Sequence, residues 1–140
     1  MATRTTTHLN FRGNARQALG FYQSVFGGQT VLVTYADAQD HADPAQADDI
    51  LWGQVTSGDG FAVMAYDVQS SRAWNPGENA VYVSVRVDDA EVLKSYWDRL
   101  IAGGTILTPF GPSGFSPLYG MVRDAFGITW VLDQEVAYAG

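Results

Sequence analysis

The side chains able to do chemistry are few: two histidines, a single lysine and no cysteine. His8 is followed two residues later by Asn10, with Leu9 and Phe11 between and after. That period-2 alternation is the mark of a half-buried strand and puts His8 and Asn10 on one face. An imidazole so placed is a metal ligand, a general base or a hydrogen-bonded wall residue. His41 stands among Asp37, Asp40 and Asp43 in DAQDHADPAQADD, where a solvated loop is expected over a cation cluster. Gln54 shares strand parity with Trp52 and Thr56 in ILWGQVT. There an amide beside an indole can orient a ligand, or sit at a rim or subunit interface. In AVYVSVRV, Tyr82, Ser84 and Arg86 alternate with Val81, Val83, Val85 and Val87. Arg86 can clamp an anion or pair with an acidic neighbour. Trp52, Met64, Tyr119 and Met121 are candidate pocket walls, whereas Trp130 alternates with Val131 and is assigned to the core. The candidate ligand-binding set is therefore His8, Asn10, Trp52, Gln54, Met64, Tyr82, Ser84, Arg86, Tyr119 and Met121.

Several function classes are excluded. Without cysteine there is no thiolate catalysis and no zinc–cysteine site. A net charge of −7 without a basic stripe argues against nucleic acid and against anionic membrane surfaces. MATRTTTHLN has no apolar run, so no secretory signal is expected, and no stretch approaches a membrane span; a cytoplasmic protein is the expectation. No nucleophile elbow, Walker motif or dinucleotide glycine fingerprint occurs, and SGDG is a turn with no helix after it.

The elements that must position these residues come in two similar series. In the first, a strand at His8–Phe11 leads to a helix carrying Ala15, Ala18, Leu19, Tyr22, Val25 and Phe26 on one stripe. Asn14 and Gln17 are its expected capping box and Gly27-Gly28 its stop. Strands follow at 29–36, 50–56 and 61–67. In the second, the strand 80–87 leads to a helix with Asp88 and Glu91 as capping box and Val92, Leu93, Tyr96, Trp97, Leu100 and Ile101 as stripe. Three strands follow within TILTPF, LYGMVRD and ITWVLDQ. Asn14-Ala15 and Phe21-Tyr22 precede Asp89-Ala90 and Tyr96-Trp97 by the same interval, and both helices run into Gly-Gly. The fold class is α+β: two βαβββ modules, about 1–70 and 71–140, forming one domain.

HLNFRGNARQALGFYQSVFGG, VSVRVDDAE, AGGTILTPF and LYGMVRDAFGITWVL resemble the vicinal oxygen chelate superfamily of glyoxalase I, extradiol dioxygenases and bleomycin resistance proteins. The closer likeness is to its PhnB-like branch, labelled after 3-demethylubiquinone methyltransferase. The resemblance implies a curved mixed sheet around a cleft and, in metal-dependent members, a divalent ion on four strand residues. Those positions fall here on His8, Gln54, Tyr82 and Val131. One imidazole and no carboxylate make a poor site. The implied function is small-molecule binding in a metal-free cleft, with no cofactor; a metal-dependent lyase, isomerase or dioxygenase centred on His8 is the alternative. Methyl transfer would need a glycine-rich strand–helix loop that is not found. Open sheet edges and an aromatic-rich, lysine-poor composition suggest a homodimer completing its clefts, with the Asp37–Asp49 loop near a cleft mouth or the partner.

Overall fold

The alternation around His8 is realised in β1 (Thr7–Phe11), where Leu9 and Phe11 are buried and His8 and Asn10 exposed. The computed structural model describes residues 2–137 and divides into units Met1–Pro76 and Gly77–Gly140. In the first unit β1 is followed by α1 (Ala15–Phe26), β2 (Gln29–Thr34), a 3-10 turn (Pro44–Gln46), β3 (Ile50–Thr56) and β4 (Ala62–Asp67). The sheet order is β1-β4-β3-β2, with β1 parallel to β4 and the other pairs antiparallel. All six residues of the α1 stripe are buried. A Cβ on Gly53 would run into the Leu19 side chain, so α1 covers the sheet face that carries Gly53, Val55, Val63 and Ala65. Trp52, Gln54, Met64 and Tyr66 then lie on the opposite, helix-free face.

The N-terminus of α1 corrects the sequence reading. Asn14 makes no side-chain capping bond. Instead Gly13 N and Ala15 N donate to Asp67 Oδ1 at 2.7 and 3.1 Å, and Ile50 N donates to Asp67 Oδ2 at 2.8 Å. Because β4 runs parallel to β1 and pairs Asp67 with Phe11, the end of β4 delivers a carboxylate to the helix start. A charged acceptor there outcompetes a neutral amide. β2 ends at Thr34 rather than 36 because Thr34 and Asp37 turn the chain: Thr34 N donates to Asp37 Oδ2, and Asp37 N to Thr34 Oγ1, both at 3.0 Å.

The second unit comprises β5 (Val83–Val87), α2 (Ala90–Leu100), β6 (Thr105–Gly111), β7 (Tyr119–Arg123) and β8 (Thr129–Gln134), in sheet order β5-β8-β7-β6. The cap of α2 is Asp89, whose carboxylate accepts from Glu91 N and Val92 N, not Asp88. Asp88 uses its carbonyl to accept from Gln134 Nε2. Leu93, Trp97 and Leu100 form the buried stripe, whereas Val92 is exposed. β5 begins three residues later than expected, at Val83, which pairs with Trp130. Val81 therefore lies outside the strand and is 78% exposed. Val83, Val85 and Val87 pair with Trp130, Leu132 and Gln134 and are less exposed than Ser84 and Arg86. A Cβ on Gly120 would sit 2.8 Å from the Trp97 ring, so α2 covers the face of Gly120, Val122, Trp130 and Leu132.

The duplication extends to hydrogen bonds. Ser57 Oγ accepts from Asp59 N and Phe61 N in the β3–β4 turn; Asp124 Oδ1 accepts from Phe126 N and Ile128 N in the β7–β8 turn. Gly28 and Gly104 occupy equivalent places, where a side chain would strike the carbonyls of Thr56 and Arg123.

Candidate functional site

On the helix-free face of the first unit, register aligns His8 with Met64, Met64 with Gln54, and Gln54 with Val31 across four strands. Beside that row, Asn10 pairs with Tyr66 and Trp52 with Val33. His8 Nδ1 lies 2.8 Å from Asn10 Oδ1. An amide oxygen only accepts, so Nδ1 is the donor of this pair. The Tyr66 ring meets the imidazole edge-on at 5.1 Å, and Trp74 Nε1 donates to the Asn10 carbonyl at 3.1 Å. Five of the ten candidates, His8, Asn10, Trp52, Gln54 and Met64, therefore share this face.

In the second unit Ser84, Val131, Met121 and Thr108 form one row, and Arg86, Asp133, Tyr119 and Gly111 the next. Arg86 Nε donates to Asp133 Oδ2 at 3.3 Å, so the acidic-neighbour alternative for Arg86 is realised. Ser84, Arg86, Tyr119 and Met121 share the face away from α2. Tyr82 does not join them: it precedes β5, and its hydroxyl donates to Asn79 Oδ1 at 2.8 Å. Trp130 is fully buried, with Nε1 donating to Asp124 Oδ2 at 2.8 Å.

Four residues were missed. Tyr66 and Asp133 were legible by parity, two positions after Met64 and Val131 on the same strands. Asp67 as a cap and the loop anchor Ser116 had no local signal. In the acidic loop, hydrogen bonds from Thr34 backbone and side chain hold the Asp37 carboxyl below its ordinary value. The Ser70 hydroxyl and Ala45 N–H do the same for Asp43. Desolvation, then the charge of Asp67, pushes Asp49 up. Burial raises the Tyr35 phenol, whose hydroxyl donates to the Asp67 carbonyl at 2.5 Å.

The donor chemistry does not fit a divalent ion. Of His8, Gln54, Tyr82 and Val131, the imidazole is bonded to Asn10, the phenol to Asn79, and the valine has no donor. Internal register makes His8 equivalent to Ser84, and Met64 to Val131, each pair adjacent across parallel strands. Taken either way, the set has one imidazole and no carboxylate. Among the described residues no three His, Cys, Asp or Glu side chains cluster for a metal, and His41 is exposed in its loop.

A model of the 3-demethylubiquinone-9 3-methyltransferase family matches residues 3–132. Protein PA1353 from Pseudomonas aeruginosa is 27% identical with a TM-score of 0.85, covering 96% of this chain and 98% of that one. A PhnB protein from Bacillus cereus, described as a 3-demethylubiquinone-9 3-methyltransferase, is 26% identical with a TM-score of 0.72, covering 95% and 100%. A glyoxylase/bleomycin resistance protein/dioxygenase domain from Frankia sp. EAN1pec shares the fold at 14% identity, with a TM-score of 0.65 over 97% and 99%. No curated protein matches the chain.

Proposed function

The chain belongs to the 3-demethylubiquinone-9 3-methyltransferase family, and from that premise we propose that it binds a small aromatic or amphipathic molecule on its helix-free sheet faces without a resident metal. The fold is that of glyoxalase/bleomycin resistance/dioxygenase domains. The observation carrying the reading is the row of His8, Met64 and Gln54 with Tyr66 and Trp52 beside it. It combines apolar and aromatic surface with a few polar handles, the composition of ligand sites. Ser84, Arg86, Tyr119 and Met121 extend the proposal to the second unit, without Tyr82, which precedes β5.

Among the described residues methyl transfer finds no fitting cradle. A nucleotide-type cofactor takes the amides of a glycine-rich strand-to-helix turn. Both strand-to-helix junctions here already give those amides to a carboxylate, Asp67 at α1 and Asp89 at α2.

We further infer a cytoplasmic homodimer. No helix among the described residues is long and apolar enough to cross a membrane. The edge strands β2 and β6 expose Val31, Ile106 and Leu107, surface that a second copy would cover. The test is tryptophan fluorescence of EDTA-treated protein across a panel of aromatic metabolites and antibiotics. Saturable quenching that survives chelation supports the proposal. Binding that appears only after a divalent metal is restored, and is lost in His8→Ala, supports the alternative of a metal-dependent enzyme. Light scattering at twice the chain mass supports the dimer.

A further inference from the structure

We propose that Trp74, carried by the segment after β4, is a ligand-binding wall of the first unit's helix-free face, and that this face selects an uncharged planar aromatic molecule. The inference rests on the small-molecule reading above, adding a residue to its site and a class to its ligand. Within the first unit β1 is an outer strand. The Phe11 carbonyl turns toward β4 and accepts from Val68 N at 2.7 Å, so the carbonyl before it, that of Asn10, turns to the open edge. Trp74 Nε1 donates to it there. Through Asn10 the indole joins a connected group, because the Asn10 side chain bonds His8 and the His8 ring meets Tyr66 edge-on.

The segment that brings Trp74 is anchored ahead of it. Arg12, just past β1, donates to the carbonyls of Val68, Gln69 and Arg72. Gln46 Nε2 donates to the Val68 carbonyl at 3.1 Å, and Gln46 Oε1 accepts from Ser70 N at 2.8 Å. These bonds grip the chain before Trp74, whose own side chain is left 39% exposed. An indole fixed by its N–H and partly open over its ring is a stacking surface. The rows through His8 and Asn10 carry no Asp, Glu, Lys or Arg side chain. The Arg12 guanidinium beside them is engaged by its three carbonyls. An ion laid on this face would lose water without gaining a partner of opposite charge. Among the described residues the Gln54 amide, the Trp52 indole N–H and the Tyr66 hydroxyl make no hydrogen bond within the protein, so the carbonyl of a neutral ligand finds donors there.

The test titrates the full chain with three probes of one shape, neutral cinnamamide, anionic cinnamate and cationic cinnamyltrimethylammonium, followed by chemical shifts and by nuclear Overhauser contacts to the bound probe. The expected result is binding of cinnamamide at least about fivefold tighter than either ion. Its ring should show Overhauser contacts to the Trp74 ring protons. Trp74→Ala should weaken cinnamamide at least about fivefold. Trp74→Phe keeps a ring but cannot donate to Asn10, and should bind within about twofold of the wild type. A Trp74 that only anchors its segment would instead give equal losses in the two variants. Equal losses, no Overhauser contact at Trp74, or either ion binding as tightly as the amide overturns the inference. If probes or panel ligands shift Trp52 and Gln54 and leave Trp74 untouched, the Trp74 wall is wrong and the small-molecule reading stands. If no probe and no panel ligand shifts anything, both fail.

Discussion

Asp67→Asn, set against Asn14→Ala, tests what holds the first unit's helix to its sheet. Asp67 is 1% exposed and its carboxylate accepts from three backbone N–H groups on two other elements. Asparagine keeps one oxygen, enough for Gly13 N and Ala15 N, and turns an NH2 toward Ile50 N, where two donors face each other. A charge-assisted bond is lost and a buried N–H is left unsatisfied, each worth roughly 1–3 kcal/mol, so the expected cost is about 2–4 kcal/mol. Asn14 makes no capping bond, so Asn14→Ala should cost under about 0.5 kcal/mol rather than the ~1 kcal/mol of a lost N-cap. Urea unfolding followed by far-ultraviolet circular dichroism measures both. A near-wild-type Asp67→Asn alongside a destabilised Asn14→Ala would refute the assignment and restore the local capping box.

Gly120→Ala would press a Cβ to 2.8 Å from the Trp97 ring and 2.9 Å from Phe110, which stack on each other at 4.9 Å. It should lose about 1–3 kcal/mol in thermal or urea unfolding, while Gly114→Ala, with open space around it, should lose under about 0.5. Asp49 has a raised carboxyl, so the folded state favours its protonated form; that contribution is present below the ordinary value of 3.8 and lost as pH rises through the folded value. Asp49→Asn should therefore be more stable than wild type at pH 7, with the difference vanishing below 3.8 in parallel melts. Zinc added to EDTA-treated protein and then dialysed should remain substoichiometric by elemental analysis, and His8→Ala should retain as much as wild type.

Much of the fold was legible because the duplicated pattern is strong. Ala15 and Ala90 open equivalent helices, Tyr22 and Trp97 are buried in both, and Gly28 and Gly104 mark the same close approach. What escaped was set by residues distant in sequence. Asp67 reaches the α1 terminus only because β4 lies beside β1, and the start of β5 is set by its pairing with β8. The candidate site divided likewise. Strand parity grouped Trp52 with Gln54 and Ser84 with Arg86, while sheet order, hidden from the sequence, put Met64 rather than Gln54 next to His8. Tyr82 shows the limit of parity, since alternation persists in residues that leave the sheet.

The most direct test of metal-free binding on the helix-free face is the set of indole N–H resonances of EDTA-treated protein titrated with a ligand from the panel. Trp52 lies on the proposed face, whereas Trp130 is fully buried under α2 and bonded to Asp124. The expected result is a saturable shift of the Trp52 indole, with Trp130 unmoved and chelator without effect. No shift at Trp52 until a divalent metal is restored, with that shift abolished in His8→Ala, would contradict it.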